Sequence, residues 1–247
     1  MAKMSGYLTD LDVAARKSGL TVKTVSGWKT RGHGKFVGVK TVVPHHTAGP
    51  RTGNMPSLNV VTHGRAGLAG PLCNIALGRD GTVYIVAAGV AYHAGATGSS
   101  NWNNWRAIGI EAEATGVDKW TKQQYDAYAK LCAALIQHYG LSVSDVRAHK
   151  EIAVPKGRKI DPNFDMTAFR ARVRYFAGEL FAERKEPTLN NVQQARVEYQ
   201  TAFAHAHRGL ALLAKTPVGR KVVKAQARVI QGALITAEQA FRVLPKS

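Results

Sequence analysis

The chain has 247 residues, 45% of them hydrophobic and 8% aromatic, which excludes a disordered polyelectrolyte and calls for a packed core. Its 34 Lys and Arg against 16 Asp and Glu give a formal charge of +18 at pH 7, a surface that attracts polyanions (nucleic acid, acidic lipid or an anionic cell wall) and disfavours a cationic substrate. Two cysteines, Cys73 and Cys132, exclude a disulfide scaffold, and no stretch approaches the roughly 20 apolar residues of a membrane span.

Met1 to Leu20 contains Asp10, Asp12, Arg16 and Lys17 and has no apolar run of signal-peptide type. Residues 8–19 predict a short amphipathic helix with Leu8, Leu11, Val13, Ala14 and Ala15 near one side and Gly19 at its end. A strand is expected in Leu20 to Val25, then a glycine-rich loop, Gly27 to Gly34. Reading residues 8–31 as a DNA-binding helix-turn-helix requires a short second helix running through Gly27. Residues 38–47 read as a strand ending in His45-His46. Pro44 has no ladder donor, so the strand is expected at an edge or near its last hydrogen bond.

A loop over Ala48 to Pro56 precedes a short helix in Ser57 to His63. Strands at Leu72–Leu77 and Thr82–Ala87 flank Gly78-Arg79-Asp80-Gly81, a hairpin signal because Asp-Gly suits a tight turn. After the loop from His93 to Trp105, Ala107 to Ala114 alternates, with Ile108, Ile110 and Ala112 on one side and Gly109, Glu111 and Glu113 on the other. Two carboxylates on one strand face mean either a solvated face or a polar site. Thr121 caps the clearest helix, with Gln124 reciprocating, and Tyr125, Tyr128, Leu131, Cys132, Leu135, Ile136 and Tyr139 form its apolar stripe. Cys132 belongs to that stripe, which argues against a bridge to Cys73. Val143 to His149 leads into the irregular segment Pro155 to Pro162, and Asp165 caps a helix with Phe169, Val173, Phe176 and Leu180 inward.

Mixed strands and helices predict an α/β fold, a central mixed β-sheet flanked by helices, over residues 1–183. Composition changes at Lys185-Glu186-Pro187. Residues 187–247 read as a basic helical module, a hairpin of helices over 191–214 and 221–243 broken at Thr216-Pro217-Val218-Gly219. Its nine basic residues against two acidic ones suit it to an anionic cell wall.

His45 and His46 at a strand end, with His149 and Asp161 on loop-rich chain, supply two imidazoles and a carboxylate, a catalytic zinc set that leaves a fourth position for water. Periodicity does not choose between His45 and His46. The ordered stretches His45-His46-Thr47-Ala48-Gly49, Leu77 to Tyr84, His93-Ala94-Gly95, Ile108-Gly109-Ile110-Glu111 and Gly157 to Pro162 resemble the type 2 N-acetylmuramoyl-L-alanine amidases, which include phage lysozymes, bacterial recycling amidases and peptidoglycan recognition proteins. The resemblance covers roughly residues 8–180, and Gly27 to Gly32 further resembles amidase endolysins of phages that infect actinobacteria.

The resemblance implies the amidase type 2 fold, with Zn2+ held by His45, His149 and Asp161, and hydrolysis of the amide between N-acetylmuramic acid and L-alanine in peptidoglycan. It implies Glu111 as general base with Glu113 in reserve, Lys159 beside the substrate carbonyl, and His93 lining the groove to orient substrate or assist proton transfer. Cys73 stands where some phage members carry a tyrosine, which strengthens the case for Glu111. The segment Lys150 to Val154 departs from the usual pattern. A catalytically silent peptidoglycan-binding protein is the alternative; a nucleic-acid binder has only the charge behind it, so no nucleic-acid partner is expected. A phage lysin is expected to be made in the host cytoplasm, to reach the wall when a separate phage membrane protein opens the way, and to insert in no membrane itself.

Overall fold

The computed structural model describes residues 4–182. In chain order these form α1 (Leu11–Arg16), β1 (Val22–Thr24), β2 (Thr41–His46), α2 (Leu58–His63), β3 (Gly64–Arg65), β4 (Leu68–Ala69), β5 (Ile75–Leu77), β6 (Val83–Ile85), β7 (Ala107–Ala112), α3 (Lys122–His138), α4 (His149–Ile152) and α5 (Met166–Ala182). The helical hairpin expected within 187–247 lies outside the described residues. No described helix is long and apolar enough to cross a membrane.

Five strands form a mixed sheet in the order β1-β6-β5-β7-β2. The β5–β6 hairpin is antiparallel and the other pairings are parallel. Gly81 takes φ +85° in the hairpin turn, and Asp80 Oδ1 accepts from Thr82 N–H at 2.7 Å. β2 is the terminal strand, the place a Pro44 without a donor can occupy. β5 and β6 are shorter than the pattern predicts. At Asn74 the backbone carbonyl accepts from both Val86 and Ala87 N–H, while the side-chain amide donates to the carbonyls of Ala87 and Gly89 and Oδ1 accepts from Gly109 N–H.

The alternation of β7 sorts the two faces of the sheet. Ile108, Ile110 and Ala112 join Val42 in the core built with α1, α3 and α5, where Tyr128, Leu131 and Phe169 are wholly buried. Val43 and Ala107, of opposite parity, pack with Ala94 and Ile152. His45 shares parity with Val43, and Glu111 with Ala107, so both belong to the face away from α1, α3 and α5. α3 starts as expected, with Thr121 Oγ1 accepting from Gln124 N–H at 3.2 Å. The amide of Gln124 does not reciprocate; it donates to the Glu113 carbonyl at 2.8 Å. Asp165 Oδ1 caps α5 through Ala168 N–H at 2.7 Å. Phe169, Val173 and Phe176 are buried beneath it, while the side chain of Leu180 is outside the described set.

Two expectations are corrected and one is met. Val13 is 51% exposed, since the helix begins at Leu11 and turns this position outward. Residues 26–34 are turns and bends, as expected for the glycine-rich loop, and leave no second helix for a DNA-binding motif. The strand ends at Ala112, so Glu113 leaves the alternation and turns to the loop after β2, where its carboxylate accepts from Thr47 Oγ1 at 2.8 Å, Ser57 N–H at 2.9 Å and Ser57 Oγ at 3.1 Å. Gly49 leaves room for this carboxylate, because a Cβ there would sit 2.1 Å from Glu113 Oε1.

Deleting the Glu113 carboxylate strands three polar donors around a fully buried side chain. Glu113→Ala is expected to cost about 3 kcal/mol of unfolding free energy, measured by urea denaturation; a loss under about 1 kcal/mol contradicts the pinning role.

Candidate metal centre

His45 is placed by a hydroxyl buried in the core. Tyr128 Oη, from α3, accepts from His45 N–H at 2.8 Å and lies 2.8 Å from the Ile110 carbonyl, bracing the ends of β2 and β7 together. The register sets His45 beside Glu111 on the neighbouring strand. His149 opens α4, and Asp161 is brought alongside by the irregular segment, its carbonyl accepting from Lys150 N–H at 2.9 Å.

Three ligand atoms converge there. His45 Nδ1 is 3.0 Å from His149 Nδ1 and 3.0 Å from Asp161 Oδ2, and His149 Nδ1 is 3.1 Å from the same oxygen. A tetrahedral ion with ligands at 2.0–2.2 Å needs them about 3.3 Å apart, so small outward shifts accommodate one. All three residues are buried, and they form a cluster able to hold a divalent metal. Burial pushes the His45 imidazole down to about 4, while the facing Asp161 carboxylate pulls the other way. Burial also opposes ionisation of Asp161, yet the facing His149 and His45 imidazoles outweigh it and hold the carboxyl below the usual carboxylate range. A neutral imidazole, an anionic oxygen and a second imidazole facing one point make the donor chemistry of a cation site.

The cluster lies at a groove of about 760 Å³ whose lining includes His46, Tyr92, Glu111, Lys159 and Asp161. Glu111 has its Oε2 sealed from solvent without a hydrogen-bond partner. Burial raises its pKa well above the ordinary carboxylate value, the Asp161 charge adds to the rise, and Lys159 opposes it. Arg158 fastens the segment carrying Lys159 to the loop after His93, donating to the carbonyls of Ala94 and Ala96.

Of the other predicted residues, His46 lines the groove but stands outside the ligand triangle, its Nδ1 buried and unpartnered. His93 stands against His45, with 3.1 Å between His93 Nδ1 and His45 Nε2. Cys73 is fully buried, and its thiol is pushed well above its ordinary pKa by burial, so it is no ready nucleophile. Cys73 and Cys132 are both free thiols. Sequence reasoning missed two supports of the site, Tyr128 and Asn104, whose Oδ1 accepts from the backbone N–H of His93 and Ala94. Tyr128 read only as part of an apolar stripe, and nothing local marks a hydroxyl whose partners lie on other elements.

Residues 35–164 match the family described as N-acetylmuramoyl-L-alanine amidase. Over 100 residues the chain is 34% identical to 1,6-anhydro-N-acetylmuramyl-L-alanine amidase AmpD of Citrobacter freundii, an alignment covering 38% of this chain and 53% of that protein. The chain thus spans about half the length of this curated relative. Among solved structures it is similar to the endolysin N-acetylmuramoyl-L-alanine amidase LysCS from Clostridium intestinale URNW, at 22% identity and TM-score 0.47, over 62% of this chain and 95% of that one. It is also similar to the N-acetylmuramyl-L-alanine amidase AmiD from E. coli, at 22% identity and TM-score 0.44, over 54% of this chain and 57% of that one.

The geometry predicts that His149→Ala and Asp161→Ala lose stoichiometric divalent metal while His46→Ala keeps it, as read by elemental analysis of protein dialysed against limiting metal. Equal metal content in all three variants contradicts this ligand set.

Proposed function

Since the chain belongs to the N-acetylmuramoyl-L-alanine amidase family through residues 35–164, we propose that it is a zinc-dependent hydrolase of the amide bond between N-acetylmuramic acid and L-alanine in peptidoglycan. The observation that carries this reading is the triangle of buried ligand atoms, with a half-buried carboxylate and a lysine lining the same groove. A binding-only relative has no need of a complete ligand set beside a carboxylate of raised pKa.

Bound zinc supplies Lewis acidity toward the scissile carbonyl and makes water a nucleophile at neutral pH. Glu111 takes the proton of the attacking water and returns one to the departing amine of L-alanine. Its burial makes it a better base than an exposed carboxylate, because its proton affinity is raised. Lys159 places a fixed cation at the groove, where it stabilises the charge that grows on the carbonyl oxygen. The walls of the groove hold the substrate while His45, His149 and Asp161 stay fixed behind it.

The setting is read as that of a phage lysin whose action ends in cell-wall lysis. Support comes from the resemblance of Gly27 to Gly32 to endolysins of actinobacterial phages and from the basic character of residues 187–247, which we read as an anchor on the anionic wall. Release of the protein to the wall by a separate phage membrane protein is part of the same proposal.

Glu111→Gln is expected to lower kcat by about 100- to 10,000-fold with metal content unchanged, scored as new alanyl amino termini released from peptidoglycan. The working form of Glu111 is ionised and its pKa is raised, so kcat/KM of the unsubstituted protein climbs with pH through an acidic limb lying above the ordinary carboxylate range. That limb is absent in the variant; full activity in Glu111→Gln places the base elsewhere, and failure of the unsubstituted protein with zinc to release alanyl termini rejects the activity. Binding of the full chain to isolated walls is expected to weaken as salt rises, and salt-insensitive sedimentation with walls contradicts electrostatic anchoring.

A further inference from the structure

A neutral imidazole offers one donor and one acceptor, and which nitrogen holds the proton is decided by what each faces. His93 Nε2 lies 3.1 Å from the Ala107 carbonyl oxygen, an atom that can only accept. The proton of His93 is therefore on Nε2, and its Nδ1 presents a lone pair. That Nδ1 is 3.1 Å from His45 Nε2, so His45 donates from Nε2 and keeps its own lone pair on Nδ1, the atom facing Asp161 and His149. His149 reaches the same state by a shorter route, its Nε2 lying 3.0 Å from the Ala94 carbonyl.

We propose that His93 is a positioning residue that relays the acceptor character of the Ala107 carbonyl to His45, fixing His45 in the Nε2–H tautomer and so presenting Nδ1 to the metal. This rests on the metal-site reading above. The two ligand histidines are thus set in one tautomer by different means, His149 by a carbonyl directly and His45 by a carbonyl through a second imidazole. Around a bound cation the outcome is three acceptor atoms, two imidazole nitrogens and one carboxylate oxygen, with no proton between them. Such an arrangement is unfavourable until a cation enters, and it favours a cation over a proton-shared cluster.

The mounting of His93 suits this task. Asn104 Oδ1 accepts from His93 N–H at 3.1 Å and Ala94 N–H at 2.8 Å, which fixes the backbone. The ring packs over Gly109, where an added Cβ would lie 2.4 Å from His93 Cγ, so that strand position must lack a side chain. The His45 and His93 rings meet edge to face, with centroids 5.1 Å apart and planes 78° apart. Turning the His93 ring over would put carbon at both hydrogen-bonding positions and lose both contacts. His93 is only 8% exposed, which fits a support behind a ligand better than a group that handles substrate.

The test compares zinc affinity, by competition with a chromophoric chelator, in the unsubstituted protein, His93→Phe and His93→Asn. Phe keeps a ring but offers no acceptor; Asn places an amide oxygen near the position of Nδ1. The expected result is a loss of about 10- to 100-fold in affinity for His93→Phe, with most of it recovered in His93→Asn. Unchanged affinity in His93→Phe overturns the proposal, as does an equal loss in both variants. Nitrogen-15 NMR of the unsubstituted, zinc-loaded protein gives a readout that does not depend on the variants folding. A coupling across the hydrogen bond from protonated His45 Nε2 to bare His93 Nδ1 is expected, and a proton on His45 Nδ1 or on His93 Nδ1 overturns it. Should the unsubstituted protein bind no zinc, the metal-site reading fails separately. The same proton placement is then read in the metal-free protein, where His45 protonated on Nδ1 again overturns the relay.

Discussion

The parallel pairing of Thr41–His46 with Ala107–Ala112 is the constraint on which the rest depends. Its register puts His45 beside Glu111, and the Tyr128 hydroxyl, contacting His45 N–H and lying by the Ile110 carbonyl, holds the two strand ends at one level. A slip of one residue would turn His45 toward the core formed with α1, α3 and α5 and bring His46 in its place. The hydrophobic alternation of β7 resists that slip, because Ile108, Ile110 and Ala112 would leave the core together. The site is therefore secured by apolar packing on the opposite face of the sheet.

Around this pair, carboxylates of similar chemistry serve different ends according to their surroundings. Asp161 is ionised because two imidazoles offset its burial. Glu113 spends its acceptor capacity on Thr47 and Ser57 and shapes the loop that borders the groove. Glu111 has a sealed oxygen without a partner, and its burial favours the protonated form. An anion on the irregular segment, a structural acceptor just after β7 and a carboxyl of raised proton affinity on β7 thus have three different surroundings. Their division of labour matches what the proposed hydrolysis requires.

Much of the frame could be read from local chemistry. The Asp80-Gly81 turn, the Thr121 and Asp165 caps and the stripe of α3 depend on neighbours within a few residues, and each forms as the pattern implies. Pro44 marked an edge strand because a missing donor is a local fact. Choosing His45 over His46 was beyond the pattern alone, since β2 is buried along its whole length and shows no alternation of exposure. The parity of Glu113 misled because the strand stops one residue before it. Gln124 found a carbonyl from another segment in place of its own cap. The arrangement behind His45 was the least legible part, because Ala107, His93 and Asn104 meet through a loop whose path no spacing rule gives.

In the proposed reading His45, His149 and Asp161 hold one zinc ion and leave a fourth position for water. X-ray absorption at the zinc K edge of the loaded protein tests it most directly. Two imidazole nitrogens at about 2.0–2.1 Å, one carboxylate oxygen at about 2.0–2.2 Å and one further light atom are expected. A sulfur shell near about 2.3 Å, which would bring in Cys73, or the absence of imidazole scattering, would contradict it.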